Sequence, residues 1–156
     1  MDWDILDFVI FFGLLAMVAA LLFFVVRKAR NNAYRVGVGI SVVGAFLLIW
    51  INGAVGIIGD ENNDANMMFF GVLAVALAGA AIARLEARGM ALASFATAAA
   101  QTLVAVIALL GGFGAEGNAW PWDVIVATLF FSGLWLTSAI LFQRAAAQLM
   151  ETNASH

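Results

Sequence analysis

Residues 5–26 read ILDFVIFFGLLAMVAALLFFVV, a run of 22 residues with a single charge, Asp7, close to its start. Wound as a helix at about 1.5 Å rise per residue, such a run crosses a hydrocarbon layer about 30 Å thick. The flank before it, Met1-Asp2-Trp3-Asp4, is acidic where a secretory signal is basic, and no small-residue cleavage site follows. The segment therefore reads as a membrane-spanning helix.

Four more runs of the same character follow, at 36–58, 67–83, 90–110 and 124–142. Between the first two lies Arg27-Lys28-Ala29-Arg30-Asn31-Asn32-Ala33-Tyr34-Arg35. The acidic segment Gly59-Asp60-Glu61-Asn62-Asn63-Asp64-Ala65-Asn66 closes the second run, and Arg84-Leu85-Glu86-Ala87-Arg88-Gly89 makes a tight hairpin between the third and fourth. A Gly-rich loop over 111–123 holds the only proline, Pro121, and a polar tail over 143–156 ends the chain. The expected fold is all-α: one integral membrane bundle of five transmembrane helices occupying residues 1–156.

Cytoplasmic loops retain Lys and Arg, so the basic residues set the orientation. With the first loop inside, Arg27, Lys28, Arg30, Arg35, Arg84, Arg88 and Arg144 all fall on the cytoplasmic side, which accounts for all 7 basic residues. Asp2, Asp4, Asp7, Asp60, Glu61, Asp64, Glu116 and Asp123 fall outside, and only Glu86 and Glu151 lie within. Trp3, Trp120 and Trp122 come to the outer boundary and Tyr34 to the inner one, as in an aromatic belt. The N-terminus is thus expected outside and the C-terminus in the cytoplasm. An odd number of spans disfavours two equal inverted halves.

Composition agrees: 65% of the 156 residues are hydrophobic and 11% charged, against roughly a quarter charged in a soluble domain. The 7 basic residues in small clusters offer no extended face for nucleic acid. With no cysteine, disulfides, thiolate metal sites and cysteine nucleophiles are excluded. The only histidine is His156 and the only lysine is Lys28 in a basic loop, which argues against intramembrane haem, zinc or a Schiff base. No cofactor, metal or catalytic group is expected.

Unpaired polar groups are costly in hydrocarbon, so the search for function begins with them. Asn52 lies in the second run and Gln101 in the fourth, while Ser94, Thr97 and Gln101 share one helical face. Thr128, Ser132 and Trp135 form a similar stripe on the fifth. Gln101 and Ser132 come to about the same depth, roughly 17 Å above the cytoplasmic edge, with Asn52 and Thr128 about 7 Å higher. Gln101 opposite Ser132, and Asn52 opposite Thr128, are therefore expected as interhelical hydrogen bonds that fasten the bundle, each contributing about 0.6 kcal/mol. The alternative is that these four residues line a ligand pocket or a polar pathway. Glycines at 53, 56 and 59, and the Ala-rich third and fourth runs, permit close packing within the chain or against a partner.

The segment 60–66 gathers six oxygen-bearing side chains, which invites a calcium reading. It departs from the EF-hand pattern, with Ala65 at the sixth position and Gly71 at the twelfth, and capping of the third helix by Asn63, Asp64 or Asn66 explains it better. The loop over 111–118 lacks the Gly-Lys-Ser or Gly-Lys-Thr ending of a phosphate-binding loop.

Asn32-Ala33-Tyr34-Arg35, the stretch from Trp50 to Asn62, Ala65-Asn66, Gly71-Val72-Leu73-Ala74-Val75, Ile82-Ala83-Arg84 and Arg88-Gly89-Met90 resemble a group of small bacterial multi-pass inner-membrane proteins of uncharacterised activity. The resemblance implies a bacterial inner-membrane location and brings no functional residue with it. Function is then expected to be non-enzymatic: an accessory, scaffolding or sensory subunit packing laterally in the lipid bilayer with a membrane protein partner or with its own copies. The runner-up is a small oligomeric transporter or channel, with Asn52, Gln101, Thr128 and Ser132 lining the path and Asp60, Glu61 and Asp64 as an outer cation funnel. A cleft for a quinone, carotenoid or lipid is a third reading, and a membrane enzyme the least favoured.

Overall fold

A computed structural model describes residues 4–29 and 31–155; Asp2, Trp3, Arg30 and His156, together with the side chain of Lys28, lie outside the described residues. The described residues form five α-helices, α1 (Ile5–Lys28), α2 (Asn32–Ala54), α3 (Met68–Ile82), α4 (Ala87–Gly111) and α5 (Trp122–Ala154), with a 3-10 turn, Asp64–Met67, leading into α3. All five are long and apolar enough to cross a membrane.

Local chemistry sets the helix ends. Asp4 caps α1 by accepting from the amides of Leu6 and Asp7 at 2.8 and 3.0 Å, while the Asp7 carboxylate accepts from the Asp4 amide. Asn31 caps α2 by accepting from the Tyr34 amide. That cap starts α2 four residues before the expected apolar run, and α2 ends at Ala54 rather than continuing to 58. α5 differs most from expectation. The tail read as polar continues the helix through Gln143-Arg144-Ala145-Ala146-Ala147-Gln148 to Ala154, all but the last few of them strong helix formers. Ala145 is fully buried, and Gln148 Oε1 accepts from the Asn31 side-chain Nδ2 at 2.6 Å, so this extension is anchored to the start of α2.

The helices pack in the spatial order α3, α4, α5, α2, α1. Heptad spacing marks the seams. On α4 the buried positions include Ala87, Ala91, Ser94, Ala98, Gln101, Ala105 and Ala108, and on α5 Val124, Phe131, Trp135, Ser138, Phe142 and Ala145. Alternating steps of three and four keep one face turned toward a neighbour crossing at about +20°. α2 presents notches to the large side chains of α5: a Cβ on Gly37 would sit 3.2 Å from the Phe142 ring, and one on Gly44 3.4 Å from Trp135. Ser138 lies between these knobs, its hydroxyl donating to the Gly37 carbonyl and meeting Ser41 at 2.5 Å. α3 comes closer still to α4 at Gly79, whose added Cβ would lie 2.7 Å from that of Ala93.

α1 stands apart. None of its described residues is buried, and it leans on α2 through Phe11, whose ring centroid is 4.5 Å from that of Trp50. The charges segregate by end. Tyr34, Leu85, Asn31 and Gln148 are joined by hydrogen bonds, which brings Arg27, Arg35, Arg84, Arg88 and Arg144 to one end of the bundle. Gly59, Gly114 and Asp123 meet at the other, with Asp60, Glu61, Asp64 and Glu116 around them.

Candidate functional site

The acidic end is organised by a residue whose expected role was no more than a helix cap. Asn66 is 4% exposed. Its Oδ1 accepts from the amides of Ile57 and Ile58 at 3.0 and 2.9 Å, and its Nδ2 donates to the carbonyls of Ile58 and Asp60. Its own carbonyl accepts from Asn52 Nδ2 at 3.0 Å. One side chain thus pairs four backbone groups of a loop that carries the buried Ile57 and Ile58 into the core. Capping falls instead to Asn63, which accepts from the Ala65 amide.

This arrangement replaces the expected pairing of Asn52 with Thr128. The depths agree: with Gly44 against Trp135, antiparallel register brings Asn52 to within about 2 Å of the level of Thr128. The partners do not. Asn52 turns to Asn66, while Thr128 Oγ1 and Asn52 Oδ1 are buried without a hydrogen bond. Nor does Gln101 pair with Ser132. Ser132 meets Thr102 instead, at 3.4 Å, one residue along α4 from Gln101. That shift turns Ser132 to the flank of the seam and leaves Gln101 inside it.

Gln101 is fully buried, and neither its Oε1 nor its Nε2 has a hydrogen-bond partner. Trp135, 1% exposed, has its indole Nε1 in the same condition. The Thr102–Ser132 contact fixes the register of α4 on α5, so Gln101 and Trp135 lie within roughly 3 Å of the same level along the bundle. Thr97 satisfies itself locally by donating to the Ala93 carbonyl, and the more exposed Thr102 does the same with that of Ala98. Among the described residues the buried polar side chains of α2, α4 and α5 are uncharged, and Asn52 Oδ1, Thr128 Oγ1, Trp135 Nε1 and both polar atoms of Gln101 have no hydrogen-bond partner.

Asp60, Glu61 and Asp64 are exposed at the acidic end. Asp60 accepts from the Asn62 amide, and among the described residues no three His, Cys, Asp or Glu side chains are grouped to hold a metal. A recess of about 480 Å³ lies beside Asp60, lined by Asn63, Glu116 and the glycines of the loop at 112–117.

A larger cleft than this recess lies at the opposite, basic end. About 750 Å³ in volume, it runs between α1 and the final turns of α5 and is lined by Phe24, Tyr34, Leu85, Arg88, Leu149 and Met150, among others. Tyr34 lines this cleft as well as standing at the inner boundary, and the apolar runs alone give no sign of the cleft. The available signal was the Leu149-Met150 pair, two apolar residues following a run of helix formers.

No protein family, no curated protein and no solved structure matches the chain. The functional reading therefore rests on the geometry.

Proposed function

We propose that this chain is a five-span protein of a bacterial inner membrane, with its acidic end outside and its basic end in the cytoplasm. It acts there as a non-enzymatic accessory subunit that packs laterally on a membrane partner through α3. The gathering of the described arginines at one end supports the orientation, since basic groups are retained on the cytoplasmic side.

One observation carries the partner reading. Gly71, Ala74, Ala78 and Ala81 are all exposed on α3, at heptad spacing, while Phe69 and Val72 are buried. A Cβ on Gly71 would meet nothing within 4 Å, so packing inside the chain gives no reason for glycine there. Glycine in a helix nevertheless costs about 1 kcal/mol relative to alanine. In lipid, where apolar side chains gain little by meeting one another, small residues allow the close backbone approach that holds helices together.

The test is gentle extraction followed by native mass spectrometry, with wild type beside a Gly71→Leu, Ala78→Leu double variant. A complex with another protein that is lost in the variant supports the reading. A monomer in both overturns it.

A second reading, a small transporter or channel, is favoured by the unpaired atoms of Asn52, Gln101, Thr128 and Trp135 on neighbouring helices. Asp60, Glu61 and Asp64 would stand at its outer mouth. Solute or ion flux into liposomes that disappears on Gln101→Leu or Asn52→Leu would establish it.

A further inference from the structure

The cleft at the basic end combines three features that the partner reading does not use. Its walls are apolar side chains left exposed on two helices that face each other: Phe24 on α1 is 66% exposed, and Leu149 and Met150 on α5 are 45% and 63% exposed. Its volume, about 750 Å³, falls within the range of natural small-molecule sites, roughly 300–1,000 Å³. α1 packs mainly on α2, so the cleft is open sideways between α1 and α5, in the direction from which a lipid would enter.

Among the described lining residues, one charge of each sign is present. Arg88 and Glu86 both lie on the lining, at the start of α4. Glu86 occupies the N-cap position, yet its side chain makes no capping hydrogen bond, so the carboxylate is not engaged by the helix it precedes. The backbone leading to this rim is held in an unusual form. Arg84 and Leu85, neither of them glycine, have φ of 52° and 61°, and the Tyr34 hydroxyl donates to the Leu85 carbonyl and fixes the turn against α2. Consecutive left-handed residues are unfavourable for L side chains and persist where the surroundings impose them. Here they set Leu85 into the apolar wall, with Glu86 and Arg88 at its edge.

We infer that this cleft binds a zwitterionic aminophospholipid. One acyl chain lies between α1 and α5, the phosphate on Arg88 and the primary ammonium on Glu86. A phosphoglycerol headgroup would set only neutral hydroxyls against the Glu86 carboxylate, and a choline headgroup has no N–H to donate to it. A phosphoethanolamine headgroup answers both charges. The inference requires only that the basic end meet a lipid surface, and does not depend on the partner proposed for α3.

The experiment is native mass spectrometry of the full chain from nanodiscs containing equal phosphatidylethanolamine, phosphatidylcholine and phosphatidylglycerol. Both leaflets are alike, so orientation does not enter, and the same spectra report oligomeric state, which keeps failure of the partner reading separate. Wild type should retain one phosphatidylethanolamine about fivefold over phosphatidylcholine, the size of effect expected of one exposed charge pair. Glu86→Gln should abolish that preference, and Arg88→Gln should lower retention of both lipids. Leu149→Trp, which fills the cleft from an exposed position, should remove bound lipid. Glu151→Gln, at the same end but outside the lining, should change nothing. Equal retention of the three lipids, a preference for phosphatidylglycerol, no retained lipid, or an equal response to Glu151→Gln would overturn the assignment.

Discussion

Asn52 on α2 donates its side-chain amide to the main-chain carbonyl of Asn66 at 3.0 Å, across a loop whose own backbone is held by the Asn66 side chain. The two residues act as a single clasp. One joins the end of α2 to the turn before α3, and the other folds the intervening loop so that Ile57 and Ile58 reach the core. In Asn66→Ala the amides of Ile57 and Ile58 lose their acceptor in a buried setting, where each unpaired group costs about 1–3 kcal/mol. We expect a loss of at least about 2 kcal/mol, with amide exchange at Ile57 and Ile58 becoming fast while α4 and α5 stay protected. Asn52→Leu removes one of these bonds and should cost less. Equal exchange at Ile57 and Ile58 in Asn66→Ala and wild type would refute the clasp.

Gln101 tests whether the interior polar set is a fastening or something else. Its amide is fully buried with both polar atoms unpaired, so it contributes no interhelical bond. Replacing such a group by an apolar one of similar size removes a desolvation penalty. Gln101→Leu should therefore raise resistance to denaturation by about 1–3 kcal/mol, measured in detergent or bicelles. Destabilisation by a similar amount would mean that the amide has a partner in the working protein, and would strengthen the pathway reading.

How far these features were legible follows from what each signal measures. Apolar run length measures thickness of hydrocarbon, which is why the five helices stood out and why the ends of α2 and α5 did not. The caps at Asn31 and the alanine-rich continuation after Phe142 obey backbone chemistry, not hydropathy. Depth along a span was also legible, since it follows from the helical rise: Asn52 and Thr128 do share a level. Azimuth was not. A shift of one residue along α4, from Gln101 to Thr102, decides which side chain meets Ser132, and nothing in spacing alone resolves it. The role of Asn66 was hidden for another reason. Asparagine in an acidic loop reads as a cap, and only the folded loop shows four hydrogen bonds on its side chain.

Two glycines on α3 separate packing within the chain from packing outside it. At Gly79 a Cβ would lie 2.7 Å from that of Ala93 and 3.2 Å from its Cα, so α3 and α4 must part to admit it. Gly79→Ala should cost about 1–3 kcal/mol, the usual cost of overpacking. At Gly71 a Cβ meets nothing, and Gly71→Ala should gain up to about 1 kcal/mol from helix propensity alone. Thermal unfolding of the two variants side by side checks both signs. Destabilisation by Gly71→Ala in the isolated chain would show that its face is already covered by another copy.

Orientation can be read directly because the chain contains no cysteine, so each introduced thiol is the only one present. Glu61 and Arg144 are both exposed and lie at opposite ends of the bundle. If the basic end is cytoplasmic, Glu61→Cys in intact cells should react with a membrane-impermeant maleimide, and Arg144→Cys should react only after the membrane is opened. The reverse pattern would invert the topology and set the distribution of basic residues aside as its determinant. Labelling of both in intact cells would remove the five-span membrane reading. The inner cleft is sensitive to the same result. Its rim at Glu86 and Arg88 lies at the end that carries Arg144, so protection of Arg144→Cys also places the lipid site in the cytoplasmic leaflet.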